Sequence, residues 1–153
     1  MINKESVQFN DIAIDIIWLF HISGIVGILY GDSQWFVGAT PLNLTLSFVL
    51  LMFTSRKEPK VYWMAAIAFL VGMVAEALGV NYGIIFGQYV YGDALGWKIV
   101  GVPWLIGVNW AILTICCAAI AANLAGHILS KIFLGIGLML LLDAVIEPIA
   151  PLL

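Results

Sequence analysis

The sequence predicts an all-α integral membrane protein, a polytopic helix bundle with about five transmembrane helices. Of its 153 residues, 63% are hydrophobic and only 10% are charged, whereas soluble domains have about 45–50% apolar and about 25% charged residues. Long apolar runs recur along the whole chain, and a spanning helix needs about 20 such residues. Because backbone groups in lipid must be satisfied internally, we expect these runs to be helices.

Five runs reach or approach this length, and together they predict a single transmembrane domain over 1–153. The runs are about 12–30, 36–53, 61–80, 100–124 and 128–149. Pro41 lies near the start of the second run, and the third run could extend through Phe86. Pro103 is expected in the first turn of the fourth helix, where a missing N–H costs little.

The basic residues predict the orientation of the helices. If the helices alternate, Lys4, the cluster at 56–60 and Lys131 fall on one side, and only Lys98 falls on the other. The positive-inside rule places the first side in the cytoplasm. We therefore expect a cytoplasmic N-terminus, with the connection 82–98 toward the opposite face.

Charge, cysteine and histidine usage argue against several classes of function. The net charge is only -3 and no basic patch is present, so nucleic acid is not an expected partner. Cys116 and Cys117 are adjacent in an apolar run and are interpreted as small packing residues. His21 and His127 do not have metal-ligand spacing, so no metal site is expected.

Glu76 is the first candidate functional residue, because an acid in an apolar helix is costly and usually marks a functional site. It shares a helix face with Gly72, Gly79 and Gly83. Gly79, Gly83 and Gly87 form a tandem GxxxG pattern, which favours close helix packing if the helix continues that far. The alternative is that Glu76 is an interfacial acid that reaches water.

Asp143 and Glu147 are the other two candidate catalytic acids. They lie four residues apart, on one face of the fifth predicted helix. Two carboxyl groups that are close together in a dry site can share one proton. Pro148 disturbs the helix directly after them. The alternative for Glu147 is a terminal position at the interface.

An aromatic stretch follows Glu76 and supplies candidate binding residues. Its members include Tyr82, Phe86, Tyr89, Tyr91, Trp97 and Trp104. They either belong to an interfacial belt or line an apolar tunnel whose ring faces stabilise a cation. Asn109 follows two turns after the Gly-Val-Pro corner, where it could bridge helices or hold a water.

Two motifs in this order resemble a known family. The first consists of Glu76-x-x-Gly79, Gly83-x-x-Phe86-Gly87-x-Tyr89-x-Tyr91, Leu95-Gly96 and Gly101-Val102-Pro103, and the second is Asp143-x-x-x-Glu147-Pro148-x-Ala150. The sequence resembles the CruF-type membrane-bound carotenoid 1,2-hydratases, a family that includes the enzyme that hydrates bisanhydrobacterioruberin. The resemblance covers most of residues 15–150 and is strongest at 76–103.

The resemblance implies addition of water across the terminal 1,2 double bond of an acyclic carotenoid. This chemistry needs a protonated carboxylic acid, a placed water and aromatic faces that shelter a carbocation, and it needs no cofactor. The implied partners are a lycopene-like or other acyclic-end polyene, water and membrane lipid. Association with other carotenoid enzymes is left open, and a bacterial or archaeal plasma membrane is the implied location.

The resemblance also implies roles for the candidate residues. Asp143 would donate the proton with Glu147 tuning it, while Glu76 would position water; the reverse assignment stays open. The substrate-binding residues would be Tyr82, Phe86, Tyr89, Tyr91, Trp104 and Asn109.

Other functions remain open from the sequence. The alternatives are a lycopene cyclase-like end-group enzyme, a non-catalytic carotenoid-binding subunit and a proton-coupled transporter. Family members usually continue past the second motif through a tryptophan-containing loop and further helices, so the chain is expected to be either a fragment of a longer protein or a degenerate, shortened copy.

Overall fold

The chain forms a helix bundle with a small β-hairpin, in a computed structural model that describes residues 4–56, 58–84 and 89–146. The helices are α1 (Lys4–Tyr30), α2 (Ser33–Gly38), α3 (Thr40–Thr54), α4 (Pro59–Tyr82), α5 (Trp104–Leu124) and α6 (Ile128–Ile146). The strands β1 (Lys98–Ile99) and β2 (Val102–Pro103) pair in antiparallel fashion between α4 and α5. The predicted all-α polytopic fold class is confirmed.

Four of the described helices are long and apolar enough to cross a membrane. The segments are Phe9–Tyr30, Pro59–Tyr82, Trp104–Leu124 and Ile128–Val145. Their outward faces carry large exposed apolar side chains such as Trp18, Leu70 and Phe133. Such a surface is unfavourable in water and suits hydrocarbon, so these helices fit a membrane protein.

The second predicted span, 36–53, is divided in the structure at Ala39 into α2 and α3. The side chain of Asp32 caps α2 by accepting a hydrogen bond from the Trp35 N–H at 3.2 Å. Pro41 lies in the first turn of α3, where proline favours a new helix start. α3 has 15 residues and spans about 22 Å, which is shorter than the hydrocarbon core of roughly 30 Å.

α4 ends at Tyr82 and does not continue through Phe86. Gly83 takes a left-handed φ of 65°, and its N–H donates to the Gly79 carbonyl at 2.8 Å. A glycine in this conformation is a common helix terminus, because it has no Cβ to clash. Gly83 therefore caps the helix instead of extending the expected GxxxG face, and Phe86 and Gly87 lie outside the described residues.

A tight hairpin precedes α5, so this helix begins at Trp104 and not at residue 100. Its turn consists of Val100 and Gly101, whose φ values of 52° and 83° have the sign that a type I′ turn requires. A positive φ is unusual for a β-branched residue. The Asn81 side-chain amide donates to the Val100 carbonyl at 3.0 Å, which ties the turn to the end of α4.

α4 and α5 make the closest helix contact that supports the site. A Cβ at Gly107 would lie 2.7 Å from side-chain atoms of both Met73 and Phe69. A Cβ at Gly72 would lie 2.4 Å from Cγ of Trp110. These two glycines therefore permit the close approach of α4 and α5. α6 also packs against α5, and α3 contacts both α1 and α5.

Candidate functional site

Glu76 lies at the centre of a hydrogen-bonded cluster, and only 8% of it is exposed. The Tyr91 hydroxyl donates to Oε2 at 2.7 Å, and the Tyr89 hydroxyl donates to the same oxygen. The indole Nε1–H of Trp110 donates to Oε1 at 3.0 Å. All three partners are donors, which matches the acceptor-only character of a carboxylate. The buried group is thus fully partnered on both oxygens.

Three different parts of the chain build this cluster. Glu76 comes from α4, Trp110 from α5, and the two tyrosines from the loop between α4 and the hairpin. Gly72 lies one helical turn before Glu76, so the indole of Trp110 occupies the space beside the carboxylate that a side chain would fill. The rings of Tyr89 and Tyr91 meet edge to face, with centroids 5.4 Å apart, a favourable aromatic geometry.

Lys98 holds the tyrosine loop in place from the hairpin. Its ammonium donates to the Tyr91 carbonyl at 2.8 Å and pairs with Asp93 at 2.7 Å. The Lys98 hydrogen bond and charge hold the pKa of Asp93 below its usual value. Because Asp93 is fully exposed, the ion pair itself is weak, and the bond to the backbone carbonyl is the more useful positional restraint.

The phenols of Tyr89 and Tyr91 are strongly held in their protonated, donating form. Burial raises the pKa of both groups, and hydrogen bonding to Glu76 and its charge raise the pKa further. The charge of Asp143 adds a smaller increase to the pKa of Tyr89. Asp143, on α6, makes no hydrogen bond to another described residue.

We expect Tyr89 and Tyr91 to ionise later than ordinary tyrosines. Their folded pKa values are raised, so stability is fully present below the unfolded value of about 10 and declines as pH rises above it. The chain has five tyrosines, and alkaline absorbance titration should show two that resist ionisation until the protein unfolds. The double variant Tyr89→Phe/Tyr91→Phe should lose this resistant fraction. A resistant fraction of unchanged size in that variant would contradict the cluster.

The structure brings together only some of the residues that the sequence proposed. Glu76, Tyr89 and Tyr91 meet directly, whereas Asp143 is exposed on α6. Glu147 and Phe86 lie outside the described residues. The predicted catalytic pairing of Asp143 with Glu147 therefore stays a prediction.

The remaining proposed binding residues lie around the cluster and not in it. Tyr82, the last residue of α4, is 72% exposed. Trp104 lines an apolar groove beside the hairpin. Asn109 is half-buried on α5, directly before Trp110. None of these three makes a hydrogen bond to Glu76 in the described part of the chain.

Trp110 and Lys98 are the site residues that sequence reasoning missed. Trp110 lies nearly two turns inside α5, deeper than an interfacial belt requires. A tryptophan at that depth has an N–H that needs an acceptor, and Glu76 was the obvious acidic candidate. Lys98 was harder to recognise from the sequence. It stood out only as the one basic residue on the predicted non-cytoplasmic side.

Two polar residues that lie in apolar runs, His21 of α1 and Asn43 of α3, form hydrogen bonds within their own helices. His21 Nδ1 donates to the Ile17 carbonyl at 2.8 Å. Asn43 accepts a hydrogen bond from Ser47 at 3.4 Å. Across the described residues, no three His, Cys, Asp or Glu side chains gather closely enough to hold a metal ion.

Replacing Gly72 by Ala should displace Trp110 from Glu76. The new Cβ would lie 2.4 Å from Cγ of the indole, and this overpacking should destabilise the protein by about 1–3 kcal/mol. Unfolding in detergent measures the change. Gly137→Ala on α6 is the matched control, because nothing lies within 4 Å of its added Cβ; equal stability losses in both variants would contradict the packing.

Fold and site together define a polytopic membrane protein with a buried, donor-ringed carboxylate between two spanning helices. A family model described as carotenoid biosynthesis protein matches residues 41–152, which include every member of the Glu76 cluster. The chain belongs to this carotenoid biosynthesis protein family, and the resemblance seen in the sequence is confirmed at that level. Searches of curated proteins and of solved structures return no match.

Proposed function

We propose that this protein adds water to the terminal 1,2 double bond of an acyclic carotenoid, with the Glu76 cluster in the reaction site. Membership of the family supports a carotenoid-related substrate. The observation that carries the proposal is the Glu76 carboxylate, which is buried between α4 and α5 and accepts three hydrogen bonds. An acid retained at such a position in a membrane protein usually serves function.

The proposed reaction begins with protonation of the alkene. The π electrons of C1=C2 form a new C–H bond at C2, which leaves a tertiary cation at C1. The oxygen of water then bonds to C1, and the water loses one proton to a base. The net change is addition of one water molecule, and no electrons are gained or lost. One acid and one base are therefore sufficient.

Glu76 suits the part of the reaction in which positive charge develops. Its carboxylate is fixed by Trp110 and the two phenols, so it needs no reorganisation when a cation forms nearby. The ring faces of Tyr89 and Tyr91 add attraction for a cation. One of these phenols can pass its proton to Glu76 while it takes the proton that the adding water releases.

Asp143 is proposed as the acid that protonates the alkene. Its place in the second acidic motif, Asp143-x-x-x-Glu147-Pro148, supports this role by resemblance to the family. Its exposed position on α6 leaves the carboxyl group accessible to a polyene that arrives from the bilayer. After each turnover, a proton returns from Glu76 to Asp143 through water. Glu147 keeps its proposed tuning role on the basis of the family resemblance.

The cluster is proposed to lie toward the outer face of the membrane. It is built at the end of α4 that leads to the 82–98 connection, and most basic residues lie at the opposite helix ends. The positive-inside rule then places the N-terminus in the cytoplasm. A long polyene can enter such a site sideways from the bilayer.

Expression of the complete gene in a lycopene-producing host tests the proposed activity. The expected product is heavier than the substrate by one water and carries a tertiary hydroxyl group at C1, as shown by mass spectrometry and NMR. A ring-containing isomer of unchanged mass would instead indicate a cyclase-like enzyme. Purification with unchanged bound polyene would indicate a binding subunit, and either result would overturn the hydratase proposal.

A further inference from the structure

An apolar groove opens beside the hairpin, with a volume of about 410 Å³. It is lined by Phe69, Trp97, Lys98, Ile99 and Trp104. The volume falls within the roughly 300–1,000 Å³ of typical small-molecule sites. Three of the five lining residues present aromatic rings, and the hydrocarbon stem of Lys98 can cover apolar surface as well.

Lys98 connects this groove to the Glu76 cluster. Its side chain lines the groove, while its ammonium donates to the Tyr91 carbonyl at 2.8 Å. The hydroxyl of the same tyrosine donates to Glu76. A ligand that packs against the Lys98 stem therefore touches the residue that positions a phenol of the reaction site.

The lining residues also come from the two helices that carry the cluster. Phe69 lies seven residues, or about two turns, before Glu76 and on the same face of α4. Trp104 begins α5, the helix that also supplies Trp110. The groove and the cluster thus share both helices and the hairpin.

The groove presents apolar side chains that a hydrocarbon ligand can cover in place of lipid. Trp97 is 86% exposed and Ile99 is 55% exposed, although both lie on the hairpin beside Lys98. Flat rings and an aliphatic side chain suit a flat, rigid hydrocarbon better than a polar ligand, because the only charged group present is already paired. Rigid ligands also lose little conformational entropy when they bind.

We propose that this groove is a subsite for the conjugated chain of the polyene, which it holds while the end group reaches the Glu76 cluster. This inference rests on the proposed function for the identity of the ligand. Binding and turnover are separable, however, because the groove residues do not include the groups that are assigned to proton transfer.

A polyene titration with the complete purified protein tests the subsite independently of catalysis. Polyene binding quenches tryptophan fluorescence, and the titration gives a Kd. Ile99→Gln retains all tryptophans but places an amide against the hydrocarbon, so we expect Kd to rise about tenfold. Ile128→Gln is the matched control, because Ile128 is 69% exposed and is the first residue of α6, outside the groove. The Kd of this variant should equal that of the wild type.

A second pair of variants covers the case in which Ile99→Gln disturbs the hairpin. Trp97→Ala should raise KM for the polyene about tenfold and change kcat less than about twofold, since a remote binding contact is lost. Trp63→Ala, at a 73% exposed position near the start of α4, should leave both constants unchanged.

The outcomes distinguish the subsite from the proposed reaction. Saturable quenching that Ile99→Gln weakens, in a protein that makes no hydrated product, would support the subsite while the hydratase proposal fails. Absence of saturable quenching in the wild type, or an equal Kd for Ile99→Gln and Ile128→Gln, would overturn the subsite. A fall in kcat without a change in KM for Trp97→Ala would also overturn it.

Discussion

Glu76→Gln should lower conversion of the polyene at least about a hundredfold, the range expected when an acid–base or charge-stabilising group is lost. The amide has nearly the shape of the carboxylate but no negative charge. It also replaces one acceptor oxygen by an NH₂ donor, so the pattern of three donors at Glu76 can no longer be satisfied. Turnover per mole of folded, membrane-inserted protein is the quantity to measure.

Glu58→Gln provides the matched control for this substitution. Glu58 is an exposed residue immediately before α4, and its side chain makes no capping bond, so activity should be unchanged. Helicity and expression level separate a loss of chemistry from a loss of fold. A folded Glu76→Gln protein that keeps wild-type turnover would remove Glu76 from the reaction.

Asp143→Asn should also reduce turnover at least about a hundredfold, because an amide cannot donate a carboxylic proton to the alkene. Polyene binding and the late ionisation of Tyr89 and Tyr91 should persist, since Asp143 makes no hydrogen bond to the described part of the cluster. Asp11→Asn, at an exposed position on α1, is the control. Retained turnover in Asp143→Asn would remove it from the acid role and favour the reverse assignment.

The helix bundle could be predicted from the sequence, because the length of an apolar segment largely determines whether it can cross a bilayer. The third, fourth and fifth predicted runs correspond to α4, α5 and α6, with ends that differ by a few residues. The division at Ala39 was not predicted, because Pro41 near the start of an apolar run is compatible with both a continuous helix and a new helix start.

The two uses of glycine explain why the sequence left the end of α4 open between about residue 80 and Phe86. A glycine at position 83 is compatible both with a GxxxG packing pattern and with a left-handed helix cap. The sequence pattern does not distinguish these two roles. Which role Gly83 takes depends on a contact with a later part of the chain. The Asn81 side chain, near the end of α4, bonds to the Val100 carbonyl in the hairpin turn. Such a long-range contact has no local signature.

Glu76 was a candidate from the sequence, and the structure shows that it is buried and not an interfacial acid in water, but its hydrogen-bond partners were only partly predicted. Glu76 was identified because it is a single acid in an apolar helix. Tyr89 and Tyr91 could be proposed because they belong to the aromatic group that follows it in the sequence. Trp110 depended on the register between α4 and α5, which Gly72 and Gly107 determine by packing. Sequence spacing on one helix carries no information about that register.

Incubation of the purified complete protein with an acyclic polyene in ¹⁸O-labelled water tests whether water is added at the Glu76 cluster. The wild type should form a product with one ¹⁸O atom in a tertiary hydroxyl group at C1, and Glu76→Gln should form at least about a hundredfold less of it. Recovery of only unlabelled polyene or of a cyclic isomer from folded, membrane-inserted wild-type protein would contradict hydration at the Glu76 cluster.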